Sequence, residues 1–210
     1  CSSDLSVNAS GIVLSGSATS TTTASTAKNI YIGNNTIIAG STGSGGGYYG
    51  ITSTGTSTTV MNDSIAIVGN EITNFYYYGI RVTYANAPNI SNNNIHRSTQ
   101  TAIGTTAYGI YYYYCIGGRA VGNRIHDMAT TGTTSSSSFY GLYIYNYNNT
   151  ASTPVLVANN AIYNLKNYYG LQYLMYVYGP AHKVYHNTVD ASAVQSASTS
   201  AMYGLYIGYN

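Results

Sequence analysis

The sequence predicts an all-β parallel solenoid of about six to seven rungs, each made of three short strands. Two interleaved repeats and a set of apolar columns predict it. A Tyr-Gly-Ile/Leu motif occurs six times with its glycines 29 to 34 residues apart, and an Asn-x-Ile/Val motif occurs six times between them. Repeats of this length are typical of solenoids, propellers and arrays.

The asparagine motif predicts a structural ladder. Asparagine tolerates left-handed backbone in a tight turn, and stacked copies can hydrogen-bond side chain to side chain. The six asparagines are Asn35, Asn70, Asn93, Asn123, Asn160 and Asn187.

The glycine motif places one tyrosine in each repeat, which predicts an aromatic stack. Its members are Tyr49, Tyr78, Tyr108, Tyr140, Tyr169 and Tyr203. Offset ring pairs add ~0.5–1.5 kcal/mol beyond the burial of their area. Packing is the favoured interpretation, and a sugar-binding platform or a subunit interface is the alternative.

Apolar columns accompany both motifs. Aliphatic residues or alanine occupy position −3 and position +2 from each asparagine, and Ile or Leu follows each glycine. Position +3 from the glycine holds Ser53, Val82, Tyr112, Ile144, Tyr173 and Ile207. Three inward stripes per repeat suit three strands per rung, and the variable gaps between motifs indicate insertions in turns. Propeller blades need four strands, and leucine-rich repeats need helical segments.

The chain divides into two segments. Residues 1–28 hold a partial first rung, Gly11-Ile12-Val13-Leu14, and a Ser/Thr-rich loop, whereas residues 29–210 form the repeat array as a single domain. Neither terminal strand carries a lysine, a proline or a covering helix. Exposed strand edges pair with other chains, so we expect copies to assemble end to end as a filament.

The repeat resembles the right-handed parallel β-helix family, most closely the secreted and surface β-helix proteins of Bacteroidota, whose rungs read Asn-Asn-x-Ile followed by Gly-Ile-Tyr-Ile. The resemblance covers roughly residues 29 to 207. It implies the handedness and an extracellular or bacterial cell-surface location. Members of the family include lyases, epimerases, adhesins and phage fibres.

Composition excludes several classes of protein. Charged residues make up 6% of the chain and the net charge is +2, so the basic stripe that nucleic acid requires is missing. No apolar run approaches the ~18 residues of a membrane-spanning helix. We expect no cofactor, because the glycine-rich stretch 43–47 is not followed by Lys-Ser/Thr. We expect no metal, because His182 and His186 would lie ~13 Å apart on a strand.

The charged residues define a candidate catalytic patch. Positions +1, +3 and +4 from the asparagine place Glu71, His96, Arg97, Arg124, His126 and Asp127 on three consecutive rungs. In a polysaccharide lyase or epimerase, a base abstracts the proton beside a carboxylate that a cation neutralises. His96, His126, Arg124 and Asp127 would serve there. The favoured interpretation is an Arg97–Asp127 surface pair with flanking imidazoles, because the chain has five carboxylates in all.

Several residues are candidates for modification. Cys1 begins a Cys-Ser-Ser-Asp sequence like that of a processed bacterial lipoprotein, and either a lipid or a mere fragment boundary accounts for it. Sequons for N-glycosylation occur at Asn8, Asn34, Asn62, Asn89 and Asn148. The triplet Asp63-Ser64-Ile65 resembles the O-glycosylation site of Bacteroidota secreted proteins.

Together these features predict a non-enzymatic structural or adhesive β-solenoid of an extracellular fibre. Its expected partners are copies of itself, with surface glycans as a further partner. The alternative is a carbohydrate-active β-helix enzyme, either lyase-like or epimerase-like.

Overall fold

Three parallel sheets run along the length of the array. The computed structural model describes residues 10–14, 25–40, 49–98, 106–129, 137–147, 149–165, 170–192 and 201–209, and these contain strands and turns but no helix. Sheet 1 contains, in order, β1 (Ser10–Leu14), β4 (Tyr49–Thr54), β8 (Tyr78–Thr83), β12 (Ala107–Tyr113), β15 (Phe139–Tyr145), β18 (Gln172–Tyr178) and β21 (Met202–Gly208).

The other two main sheets contain six strands each. Sheet 2 contains β2 (Tyr31–Gly33), β6 (Ala66–Val68), β10 (Asn89–Ser91), β13 (Arg119–Val121), β16 (Val155–Ala158) and β19 (His182–Tyr185). Sheet 3 contains β3 (Thr36–Ile38), β7 (Glu71–Thr73), β11 (Asn94–His96), β14 (Arg124–His126), β17 (Ala161–Tyr163) and β20 (Thr188–Asp190). A short pair, β5 (Asn62–Asp63) and β9 (Ala85–Asn86), lies at another corner.

One rung is one strand from each of sheets 2, 3 and 1, taken in that order along the chain. Each strand pairs in parallel with its equivalents on the next rungs, as Ile90 does with Ile67 and Ala120. This arrangement confirms the predicted parallel solenoid with three strands per rung. Ser25 and Lys28 form parallel bridges with Gly55 and Asp63, so rung pairing extends into the segment that we expected to be loop.

The turn between sheets 2 and 3 has a fixed backbone conformation. The residue just before each ladder asparagine has a positive φ of 56° to 69°; these residues are Asn34, Gly69, Asn92, Gly122, Asn159 and His186. Asparagine and glycine enter this region at low cost. The left-handed residue is therefore one position earlier than we expected, and the ladder asparagine itself is free to point its amide inward.

The predicted apolar columns fill one core. Ile67, Ile72, Ile95, Ile125 and Ile162 are all 0% exposed. Tyr112 is also fully buried, and its hydroxyl donates a hydrogen bond to the carbonyl of Gly117.

The glycines allow two strands to approach closely. A Cβ on Gly109 would lie 2.5 Å from Cγ2 of Ile125 and 2.6 Å from the carbonyl oxygen of Gly141. Both distances are far inside van der Waals contact, so the inner isoleucine of sheet 3 requires glycine opposite it.

The register that the sequence predicts for one repeat, at Tyr169, is wrong. Tyr140 pairs with Tyr173 and Tyr173 with Tyr203, so the tyrosine column passes through Tyr173 rather than Tyr169. Tyr169 lies outside the described residues. Tyr173 therefore points outward, and Val177 takes the inward position assigned to it.

The physical reason is that this rung lacks the glycine. Leu174 replaces it on β18 and is 1% exposed. On the next rung the sheet 3 column holds Val189, which is one methylene smaller than isoleucine. The sequence Tyr-Gly-Leu at 169–171 matches the motif, but the sheet 1 strand of this rung is Gln172–Tyr178.

We predict that Ile125→Ala lowers the free energy of unfolding by about 2–5 kcal/mol, because it leaves a cavity at a fully buried central rung. Denaturant unfolding measures this. Ile38→Ala is the control, because Ile38 is 70% exposed on the outer face of the same sheet. Equal losses in the two variants would contradict the assigned core.

Candidate functional site

The asparagine ladder is a continuous buried hydrogen-bond network. Oδ1 of Asn123 accepts from the backbone N–H of Asn93 at 3.1 Å and from its side-chain amide at 2.9 Å. The amide of Asn93 also donates to the carbonyl of Ile67 at 3.0 Å. The same pattern joins all six asparagines named above, from Asn35 to Asn187. Each amide is thereby satisfied, and the ladder links every full rung.

The tyrosine motif forms a stack along the outer face of sheet 1. Ring centroids in this first column are 4.8 to 5.4 Å apart with interplanar angles of 10° to 14°. Its members are Tyr49, Tyr78, Tyr108, Tyr140, Tyr173 and Tyr203.

Two further tyrosine columns lie beside it and were missed. Positions +2 and +4 from the glycine also point outward on sheet 1. The sequence analysis considered the tyrosine before each glycine and the inward positions, and it left these two positions out. The outward alternation in Tyr-Gly-Leu-Tyr-Ile-Tyr was the available signal. We call the eleven outward tyrosines of β12, β15, β18 and β21 the tyrosine face: Tyr108, Tyr111, Tyr113, Tyr140, Tyr143, Tyr145, Tyr173, Tyr176, Tyr178, Tyr203 and Tyr206.

Rings of the tyrosine face pack in a herringbone. Tyr111, Tyr143 and Tyr176 stack at 4.8 to 5.1 Å with interplanar angles of 1° to 9°. Tyr143 meets Tyr140 of the first column edge-on at 5.2 Å and 86°. Each ring inside the array has neighbours over its faces, so hydroxyls and ring edges form the outer surface.

Burial keeps these phenols neutral. It raises the pKa of Tyr176 to about 12 and raises those of Tyr108, Tyr111 and Tyr143 further. Neighbouring tyrosines add to the shift, because a second phenolate nearby would be repelled. These four phenols are therefore uncharged at physiological pH.

The predicted catalytic patch lies on the outer face of sheet 3. His96 stacks on His126 at 5.1 Å, and His126 on Tyr163 at 5.0 Å. Nε2 of His96 lies 2.7 Å from Oε1 of Glu71, and its Nδ1 lies 3.1 Å from Oγ of Ser98.

Both ring nitrogens of His126 face acceptors. Nδ1 lies 2.7 Å from Oδ2 of Asp127, and Nε2 lies 3.0 Å from Oδ1 of Asn94. The amide of Asn94 donates to both carboxylate oxygens of Glu71, which fixes its orientation. Both ring nitrogens of His126 are thus engaged by neighbouring side chains.

Arg124 lies at the exposed edge of the patch. Its Nη2 donates to the hydroxyl of Tyr163 at 2.8 Å. The side chains of the patch thus bond mainly from rung to rung.

The predicted surface pair of Arg97 and Asp127 is wrong. Arg97 is 0% exposed, between the rings of Phe75 at 5.5 Å and Phe139 at 5.7 Å. Asp127 instead bonds to His126 and to the amide of Asn164. The backbone explains this difference. Asp127 has a positive φ whereas Arg97 does not, so Arg97 turns inward where its counterparts turn outward.

Arg97 is an unusual core residue. None of its three guanidinium nitrogens has a hydrogen-bond partner in the part of the chain that the structure describes. Burial lowers its pKa to about 10. Cation–π contact with the two rings offsets part of the cost of burying the charge.

The candidate modification sites have different surroundings. Asn62 is 0% exposed and its amide donates to Ser53 at 2.9 Å, so the folded chain offers no acceptor for a glycan there. Ser64 and Asn34 are exposed in left-handed turns. Asn89 is half-buried and bonds Arg119 at 2.8 Å. Cys1, Asn8 and Asn148 lie outside the described residues.

Two further searches concern the described part of the chain. No helix there is long and apolar enough to cross a membrane. No three His, Cys, Asp or Glu side chains within the described ranges are grouped closely enough to hold a metal ion.

The fold and its ladders define a parallel β-solenoid of the β-helix class. Residues 28–208 match the family model described as "right handed beta helix region", and the chain belongs to that family. The predicted right-handed parallel β-helix is thereby confirmed. A search of curated proteins finds no match.

One solved structure is similar in backbone path. It is the surface protein and adhesin PfbA of Streptococcus pneumoniae, at 16% sequence identity and a TM-score of 0.44. The match covers 87% of this chain and 49% of that one, so the chain spans about half its length. This likeness implies no shared activity.

We predict that Asn93→Asp destabilises the fold by about 3 kcal/mol or more, because a buried carboxylate would replace an amide that donates twice. The unfolding midpoint in denaturant measures this. Asn92→Asp is the matched control, one residue away but exposed. A ladder variant as stable as this control would show that the ladder is dispensable.

Proposed function

We propose that the chain is a non-enzymatic structural or adhesive β-solenoid of an extracellular or cell-surface fibre, in which units stack end to end. The right-handed β-helix fold itself serves both enzymes and non-enzymes, so the proposal depends on the outer faces and on the repeat of the rungs.

The observation that carries the non-enzymatic part is the bonding of the two histidines. A general base needs a ring nitrogen free to accept a proton from substrate. His96 has both nitrogens engaged, and His126 faces two acceptors. The stacked rings support neighbouring rungs in the way that the asparagine ladder does inside.

The repeat itself supports end-to-end stacking. Each rung pairs in parallel register with the next and continues the same inward columns, as Leu205 and Ile207 continue those of Met175 and Val177. A rung of a second copy carries the same repeat and can pair with a rung of this chain in the same register.

We predict that the 210-residue chain forms rods longer than the ~30 Å that six rungs span and that Ile207→Glu shortens them to single units. A charge there would have to be buried at the junction. Negative-stain electron microscopy measures the lengths.

Leu156→Glu is the control for this experiment, because Leu156 points outward in the middle of sheet 2 between Arg119 and Lys183. It should leave rod length unchanged. Wild-type particles that stay one unit long at every concentration would refute end-to-end stacking.

Surface modification belongs to the same proposal. Ser64 is the favoured site for a sugar, since it is exposed in a left-handed turn beside Asp63. Surface glycans are the proposed external partner.

The alternative is a carbohydrate-active enzyme of the lyase or epimerase type. One observation favours it, since Arg124 and the hydroxyl of Tyr163 lie exposed beside His126, as a uronate-binding cation and a phenol would.

We predict that polyuronates and neutral glycans incubated with the protein yield no unsaturated or hydrolysed product, because neither histidine has a free acceptor nitrogen. Ultraviolet absorbance and reducing-sugar assays measure this. Turnover that disappears in His126→Ala but persists in Tyr185→Ala, an exposed control on sheet 2, would establish the enzyme instead.

A further inference from the structure

We infer that the tyrosine face is a side-by-side pairing surface, which binds the tyrosine face of a second copy of this chain. This contact is distinct from end-to-end stacking, because it lies on the long side of the solenoid rather than at a rung end.

The chemistry of the surface favours a protein partner of the same kind. The outward positions of the four strands are all tyrosine except Gly208, so no charge needs to be desolvated on pairing. Arg81 lies one rung below, in the column of Tyr111 and Tyr143. Tyrosine is enriched in interfaces, where it supplies large area with few rotatable bonds. Rings already held in a herringbone lose little further freedom.

The ring geometry argues against a sugar as occupant. Pyranose rings stack on open aromatic faces, but here Tyr143 has Tyr111 over one face and Tyr176 over the other, at 5.1 and 4.8 Å. Hydroxyls and ring edges remain for contact. A second copy presents the same groups at the same rung spacing, so edge packing and hydroxyl hydrogen bonds repeat on every rung. A two-fold axis lying in the plane of the contact would make it isologous and closed.

The area is sufficient for a weak, specific pair. The tyrosine face is four rungs tall and measures about 20 Å by about 20 Å from strand and rung spacings. Pairing would therefore bury roughly 400 Å² per copy, or about 800 Å² in all, which is the size of weak, transient interfaces. We expect a dissociation constant in the micromolar range.

The test uses the Ile207→Glu chain, in which end-to-end stacking is suppressed. Sedimentation equilibrium measures mass, and small-angle X-ray scattering measures the cross-section of the particle. We expect a pair of twice the 22.3 kDa chain mass with an enlarged cross-section, whereas residual stacking would increase length alone. The loss of lateral pairing and the loss of end-to-end stacking are thus measured separately, the first by the cross-section and the second by the length of the particle.

Tyr143→Arg and Tyr176→Arg are the informative variants, because the same column already holds Arg81 in the native fold. In a symmetric pair each places two like charges in the contact, which should weaken pairing at least about 100-fold. Tyr31→Arg, at a 63% exposed position on sheet 2, is the control and should pair as the parent does. Circular dichroism verifies the fold of each variant.

Three outcomes would overturn the inference. The first is a monomer at hundreds of micromolar, and the second is a pair that both arginine variants leave intact. The third is a monomer that neutral polysaccharide retains in affinity electrophoresis and that loses this retention in Tyr143→Arg, which would assign the face to a glycan.

Discussion

The constraint on which the rest of this structure depends is the in-register parallel pairing of successive rungs. In such a pairing each residue lies beside the residue at the same position of the next repeat, about 4.8 Å away. A side chain that recurs in the repeat must therefore tolerate its own kind as its nearest neighbour. Isoleucine packs on isoleucine, asparagine donates to and accepts from asparagine, and tyrosine stacks on tyrosine. Lysine and glutamate repel their own kind, which explains why charged residues make up only 6% of the chain.

Charges enter where a column changes identity from rung to rung. On sheet 3 the column Glu71, Asn94, Arg124 alternates acceptor, amide and cation, and the next column stacks His96 on His126. These side chains satisfy one another across rungs, as the buried asparagines do. Arg97 is the exception, since the described surroundings provide aromatic rings and no acceptor. It shows that the core tolerates one cation where the backbone of a turn directs it inward.

The two proposed contacts use different consequences of the same repeat. Stacking along the axis uses the in-register repeat of the rungs, and it would continue every ladder. Pairing at the side uses the identical spacing of the tyrosine face on both partners. Because the two surfaces are perpendicular, a fibre could grow in length and pair laterally without competition. Repetition along a fibre would also make weak side contacts additive.

The sequence by itself determined the fold class, the asparagine ladder and most of the inward columns. These follow from periodicity, and a periodic pattern in parallel register fixes its own neighbours. Tertiary structure decided the features that break the period. Leu174 stands where the six other sheet 1 strands have glycine, so the local Tyr-Gly-Leu at 169–171 misled the register by four residues. The backbone of a single turn directs Arg97 into the core. Three adjacent outward columns together form the tyrosine face. Each of these depends on φ, on the packing between strands or on the width of a sheet, and a one-dimensional count of spacings does not contain them.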